Sequence, residues 1–191
     1  LNNARVFAID LSTIKAIMLS HRHFDHTGGL RDVLSVVDNV AVYAHADIFK
    51  AAYHLRDGKL SYIGVPFSQE FLEGNGATFY FNRGWKTIAP GMELTGEIPR
   101  NTSFEIGEDK LIIKTENGVA KDPMIDDQSL VFTTEKGLFI ILGCAHSGII
   151  NILNHIIEHT GQSHIHTIIG GTHLGPLSED QLEQTITALK D

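Results

Sequence analysis

The sequence predicts a layered α/β fold. Three observations carry this prediction: a strand-helix-strand-helix alternation over the first 55 residues, a β-rich run from about residue 92 to 142, and a closing helix-strand-helix pattern. Lys15 to Ser20 is a short apolar run of the buried-strand kind, and it ends directly in a His-rich segment. Leu30, Val33, Leu34 and Val37 then recur at helical spacing, predicting a helix over about 29–37. Val40 to Tyr43 reads as the next strand and Asp47 to Leu55 as another helix.

From 56 to 91, Gly58, Gly64, Pro66, Gly74, Gly76, Gly84 and Gly91 punctuate aromatic-rich pieces, predicting a loop-rich insertion of loops and short hairpins able to cover a site. Strands follow at Met92 to Ile98, Lys110 to Thr115, Leu130 to Thr134 and Gly137 to Leu142, the last two joined by a tight turn at Glu135-Lys136-Gly137. A helix from Ile149 to His159, a strand from Ile165 to Ile169 and a helix from Ser178 to Leu189 close the chain, with Ser178 and Gln181 spaced as a capping box. With 191 residues, 42% of them apolar, and no internal repeat, the chain is expected to form a single domain over 1–191.

The composition narrows the chemistry. A formal charge of -8 with 15 scattered Lys and Arg argues against a nucleic-acid surface. Cys144 is the only cysteine, so no internal disulfide is expected. No apolar run has the length of a membrane span, and no leader pattern stands at the N-terminus, so a cytoplasmic protein without membrane contact is expected. The chain opens on Leu1 and reaches its chemistry by residue 21, so further sequence upstream is expected.

That chemistry is concentrated in Ser20-His-Arg-His-Phe-Asp-His-Thr-Gly-Gly29, where His21, His23, Asp25 and His26 offer four metal ligands within six residues. Imidazole and carboxylate suit zinc first, with manganese or iron as alternatives, and the alternating spacing suggests two sites. A solvated His tract would have no reason to follow a buried strand or to precede Gly-Gly and an amphipathic helix.

The pattern His-x-His-x-Asp-His, after an apolar strand and before Gly-Gly-Leu, resembles the signature of the metallo-β-lactamase-fold hydrolases. The resemblance implies an αββα four-layer sandwich with two divalent metals at one edge and further ligands at the ends of later strands. Gly143-Cys-Ala-His-Ser-Gly148 and Gly170-Gly-Thr-His-Leu174 supply His146 and His173 in such places. The family usually has a His before its penultimate strand and a bridging Asp after it; Asp126-Asp127 and Cys144 occupy those places here. Either Asp127 or His146 would complete the first metal's set, with His146 favoured. Cys144 is either a bridging thiolate or a small buried residue.

A narrower resemblance runs through Tyr43-Ala-His45, Thr95-Gly-Glu-Ile-Pro-Arg100, Asp126-Asp-Gln-Ser-Leu130 and the two late His segments. These stretches are similar to a subfamily labelled 7,8-dihydropterin-6-ylmethyl-4-(β-D-ribofuranosyl)aminobenzene 5′-phosphate synthase, or metal-dependent hydrolase of the β-lactamase superfamily. In that subfamily further strands and an Asp-Thr-Gly loop precede the region matching Leu1 to Ala4, and the first strands of one sheet are therefore expected to be absent from this chain.

The expected activity is a binuclear metal-dependent hydrolase attacking a phosphoester or related ester, with Asp25 and His26 catalytic and Asp25 orienting the water. His21, His23 and His146 would hold one metal, and Asp25, His26 and His173 the other. The alternative is the dihydropterin synthase, a transferase displacing pyrophosphate on the same site. An alternative of another class is a non-catalytic metal-binding regulatory protein, against which the complete ligand set argues. The partner expected is a small, anionic substrate, with a homo-oligomer possible. Arg100 is a candidate phosphate handle. Trp85, Tyr53, Tyr62 and Phe67 are better explained by packing than by stacking on a flat ring. His45 either approaches the site or is a plain strand-end residue, and His54, His155, His159, His164 and His166 read as structural or exposed.

Overall fold

A computed structural model describes residues 1–190. In chain order its first half contains α1 (Asn2–Val6), a 3-10 turn at Leu11–Thr13, β1 (Ala16–Met18), α2 (Phe24–Thr27), α3 (Leu30–Leu34), β2 (Val40–His45), β3 (Tyr53–Arg56), β4 (Lys59–Tyr62), α4 (Gln69–Gly74) and β5 (Ala77–Asn82). The second half contains β6 (Lys86–Ala89), β7 (Met92–Leu94), β8 (Leu111–Thr115), β9 (Gly118–Lys121), β10 (Leu130–Thr134), β11 (Gly137–Ile141), α5 (Ile149–Thr160), β12 (Ile165–Ile169) and α6 (Glu179–Ala188).

Two helix-covered sheets account for most of this. The first is parallel, in the order β1-β2-β5. Val40, Val42 and Ala44 alternate along β2 and are buried with Leu30 and Leu34 of α3 and Leu72 of α4, the period-2 burial of a strand covered by helices. The second is mixed, in the order β12-β11-β10-β7-β6. Val131, Leu138 and Ile140 pack there with Ile149, Ile152, Leu153 and Ile156 of α5. Between the sheets, the Gln128 amide donates to the Leu19 carbonyl at 3.0 Å and the Gln128 backbone N–H to the Ser20 carbonyl at 2.9 Å. The α/β sandwich expected from the sequence is the fold of this chain.

The capping box is present: Ser178 accepts from the Gln181 N–H, and the Gln181 side chain accepts from the Ser178 N–H. The strand Ile165 to Ile169 and the β10–β11 hairpin also stand where expected. The helix expected over 47–55 does not form. Its first residues make a turn, with the Lys50 N–H donating to the Asp47 carbonyl at 2.9 Å, and Tyr53–Arg56 becomes β3. The stronger local signal is Asp57-Gly58. Both residues have positive φ, 51° and 71°, and form the two-residue turn that pairs Arg56 with Lys59. The helix expected over 29–37 is confined to Leu30–Leu34.

The stretch 56–91 holds more regular structure than expected, including α4 and the parallel strand β5. β9 was also unforeseen; with β4, β3 and β8 it forms a four-stranded antiparallel sheet in the order β4-β3-β8-β9. Among the described residues no helix is long and apolar enough to cross a membrane.

Candidate metal centre

The His-rich loop leaves the C-terminal end of β1, the Cys144–His146 loop leaves β11, and the His173 loop leaves β12. Strand ends from both sheets therefore deliver side chains to one place. Gly143 permits the approach, since a Cβ there would collide with the Ser20 side chain just before His21. Ala145 and His173 hold left-handed backbone, at φ 55° and 45°, a conformation that costs a non-glycine residue about 1 kcal/mol or more. Such strain beside convergent ligands is a mark of a functional site.

His21, His23 and His146 form a near-equilateral triangle, with ring centroids 4.7, 4.8 and 4.9 Å apart. All three are buried, and the Nε2 of each lacks any hydrogen-bond partner. One such orphan is costly, and three facing one another leave uncompensated lone pairs unless a cation lies between them. Burial, reinforced by the neighbouring imidazoles, holds His21 and His146 far below the ordinary histidine range. Burial and then the Arg22 charge lower His23 to about 4. Neutral imidazole is the form that ligates a divalent metal, so the residues present fit one.

A second grouping adjoins the first. His26 and Cys144 combine with His21, and Cys144 combines with His146 and His173, each set with ligand atoms within 4.8 Å of one another. Cys144 is the member common to both. Its Sγ lies 3.0 Å from His26 Nε2, and burial, with the Asp25 and Asp127 charges, raises its thiol to about 11. The Asp25 side chain is 62% exposed and sits 3.5 Å from His26 Nε2. Asp25 lines a pocket with His23, Phe24, His54, Glu108, Cys144, His146 and His173.

Asp127 stands apart from these groupings. It is fully buried, its Oδ2 accepts from the Ser147 N–H at 2.8 Å, and its Oδ1 has no partner. Burial raises its carboxyl to about 6. One nitrogen of the exposed Arg100 is engaged by the protein: its Nη2 donates to the carbonyls of Pro123 at 2.8 Å and His146 at 3.0 Å. This contact ties it to the His146 loop. His45 is a strand-end residue within an ionic network, its Nε2 3.1 Å from Glu97 and its Nδ1 accepting from the Asp47 N–H. Trp85 stacks on His159 at 4.6 Å, Tyr53 packs edge-on to Tyr62, and Phe67 stacks on Phe71. All four aromatics are thus engaged in packing.

Three residues at the site escaped sequence reasoning. Arg22, between two candidate ligand histidines, is buried and bridges the carboxylates of Asp122 and Asp126. This fixes the His loop and gives Asp126 a structural task. Its signal was the single Arg inside the His-rich loop. His54, read as structural or exposed, lines the pocket, and Glu108 accepts from His173; neither carries a local sequence signal.

A profile of the metallo-β-lactamase superfamily matches residues 3–164. The 7,8-dihydropterin-6-methyl-4-(β-D-ribofuranosyl)-aminobenzene-5′-phosphate synthase of Methanocaldococcus jannaschii is 33% identical over 194 residues, covering 98% of this chain and 66% of the synthase. A solved metal-dependent hydrolase of the β-lactamase superfamily superposes with a TM-score of 0.82 at 28% identity, covering 99% of this chain and 68% of the other. A hydroxyacylglutathione hydrolase of Francisella tularensis is 35% identical over 57 residues, 29% of this chain and 22% of the hydrolase. The chain spans about two thirds of the length of the M. jannaschii synthase.

Proposed function

Since the chain belongs to the metallo-β-lactamase superfamily, we propose that its imidazole cluster is the core of a binuclear metal-dependent hydrolase, with a small anionic phosphoester or related ester as substrate. The observation that carries this reading is the convergence of three buried, unpartnered imidazole nitrogens, those of His21, His23 and His146. Bound divalent ions, zinc in the first instance, supply Lewis acidity and a water that ionises near neutral pH.

The remaining work falls to the chain. His21, His23 and His146 would hold the first ion as neutral donors; the second would fall to His26 and His173, each of which groups with Cys144, and to Asp25, which joins neither grouping but lies 3.5 Å from His26. Asp25, exposed and lining the pocket, would accept a hydrogen bond from the attacking water and orient it. Arg22 and Arg100 keep the two ligand loops in place from behind. Phe24, Ile63 and Leu111 supply the apolar part of the pocket lining.

A second reading is favoured by one observation, the 33% identity that extends over 98% of the chain. In it the same residues serve a synthase that displaces pyrophosphate from a dihydropterin as an aminobenzene ribotide attacks. Elemental analysis and turnover of phosphodiester, phosphomonoester and lactone substrates, with and without chelator, separate the readings. About two metals per chain with chelator-sensitive hydrolysis supports the hydrolase. Metal without hydrolysis moves the assignment to the synthase, and absence of metal overturns both. His23→Ala and His173→Ala should each lower the bound metal, and unchanged content in both would refute the ligand assignment.

A further inference from the structure

We propose that Glu108 is a positioning residue for His173, fixing the ring through which that histidine serves the second metal. The inference rests on the metal-dependent reading above. Glu108 comes from the connection between β7 and β8, far in sequence from the candidate ligands around residues 21–26 and from His173. His173 Nε2–H donates to its Oε2 at 2.8 Å, and its Oε1 lies 3.9 Å from His54 Nε2. The Glu108 side chain is only 21% exposed, and these two imidazoles are the basic side chains within ion-pair distance of it among the described residues. It lines both the pocket over the cluster and the adjoining cleft formed with Ile106, Ile149, Leu174 and Leu177.

A half-buried carboxylate held this way has a specific consequence for an imidazole. With Nε2–H engaged, the lone pair left to the ring is on Nδ1, so Glu108 selects both the tautomer and the orientation in which His173 meets Cys144 and His146. The backbone of His173 is in the left-handed region, so its ring direction depends on side-chain contacts more than on a regular element. β3 and β8 complete the arrangement: their pairing of His54 with Leu111 places His54 on the far side of the same carboxylate. His54 is too distant from Glu108 for a hydrogen bond, so its share in holding the ring is the smaller one.

Competition of the zinc-loaded full chain against a chromophoric chelator tests this, with Glu108→Ala, Glu108→Gln and His54→Ala compared with wild type. Glu108→Ala should weaken the second zinc about 10- to 100-fold while leaving the first unchanged. Glu108→Gln, whose amide oxygen still accepts from Nε2–H, should recover much of that loss, and His54→Ala should lose little. Cobalt substitution supplies a second readout, since a turned His173 ring alters the d–d spectrum of one site only. Wild-type affinity for both ions in Glu108→Ala would overturn the proposal. So would an equal loss at both sites together with a less stable metal-free protein, which marks a purely structural carboxylate. A wild-type chain that binds no zinc would instead overturn the metal reading, and this inference with it.

Discussion

Asp127→Asn isolates a buried ionisation beside the candidate site. Burial raises the Asp127 carboxyl from its ordinary 3.8 to about 6, although the Ser147 N–H at 2.8 Å opposes the shift. A raised carboxyl favours the folded state only while it is protonated. Stability is therefore full below the unfolded value of 3.8 and is lost as pH rises through about 6. At 1.36 kcal/mol per pH unit the loss totals about 3 kcal/mol, of which roughly half falls between pH 5 and 7. Asparagine keeps an oxygen for the Ser147 N–H and has no charge to bury. The variant should gain on wild type by that amount as pH rises, equivalent to a Tm difference growing by up to about 10 °C in a chain of this size.

Urea unfolding of chelator-treated protein from pH 4.5 to 8 measures the effect. A variant-minus-wild-type difference that stays flat across this range would refute the reasoning. Metal content supplies a separate arm: with His146 completing the first metal's set, Asp127→Asn should retain its metal, whereas its loss would make Asp127 a ligand.

Three further outcomes are expected. His23 falls from 6.5 to about 4 through burial and the Arg22 charge, so its contribution is present above pH 6.5 and lost as pH falls through 4. His23 should contribute on the order of 3 kcal/mol to the metal-free protein's loss over that window, in addition to the losses from His21 and His146, read as the difference in equilibrium unfolding between wild type and His23→Ala. Arg22→Met strands the buried carboxylates of Asp122 and Asp126 and should cost about 3–5 kcal/mol at pH 7, with partial recovery in acid as the carboxylates protonate. Gly143→Ala drives a methyl group into Ser20 and should weaken metal binding more than it lowers the melting temperature, as chelator competition and thermal unfolding would show.

The first candidate ligand loop was legible in the sequence because its possible donors are contiguous and follow an apolar strand. His146 and His173 were legible as small-residue segments after strands, once the family resemblance said where to look. Glu108 and His54 were not, because their place depends on β3 pairing with β8 across more than fifty residues of chain and no local pattern encodes that register. The error over 47–55 has a related cause. Its composition tolerates a helix, but the Asp57-Gly58 turn commits the preceding residues to a hairpin. Arg100 reads from the sequence as an anion handle, and the fold adds a contact that no local pattern encodes, its Nη2 donating to two backbone carbonyls.

Because the candidate ligands leave strands of two separately packed sheets, an ion shared by them acts as a cross-link whose strength depends on the medium. Under the metal-dependent reading, each tenfold rise in free ion above the dissociation constant adds about 1.4 kcal/mol to the folding equilibrium. Metal starvation would then change more than turnover: with the seam unclamped, unfolding and proteolytic loss would rise together, so the amount of protein present would itself track the ion supply.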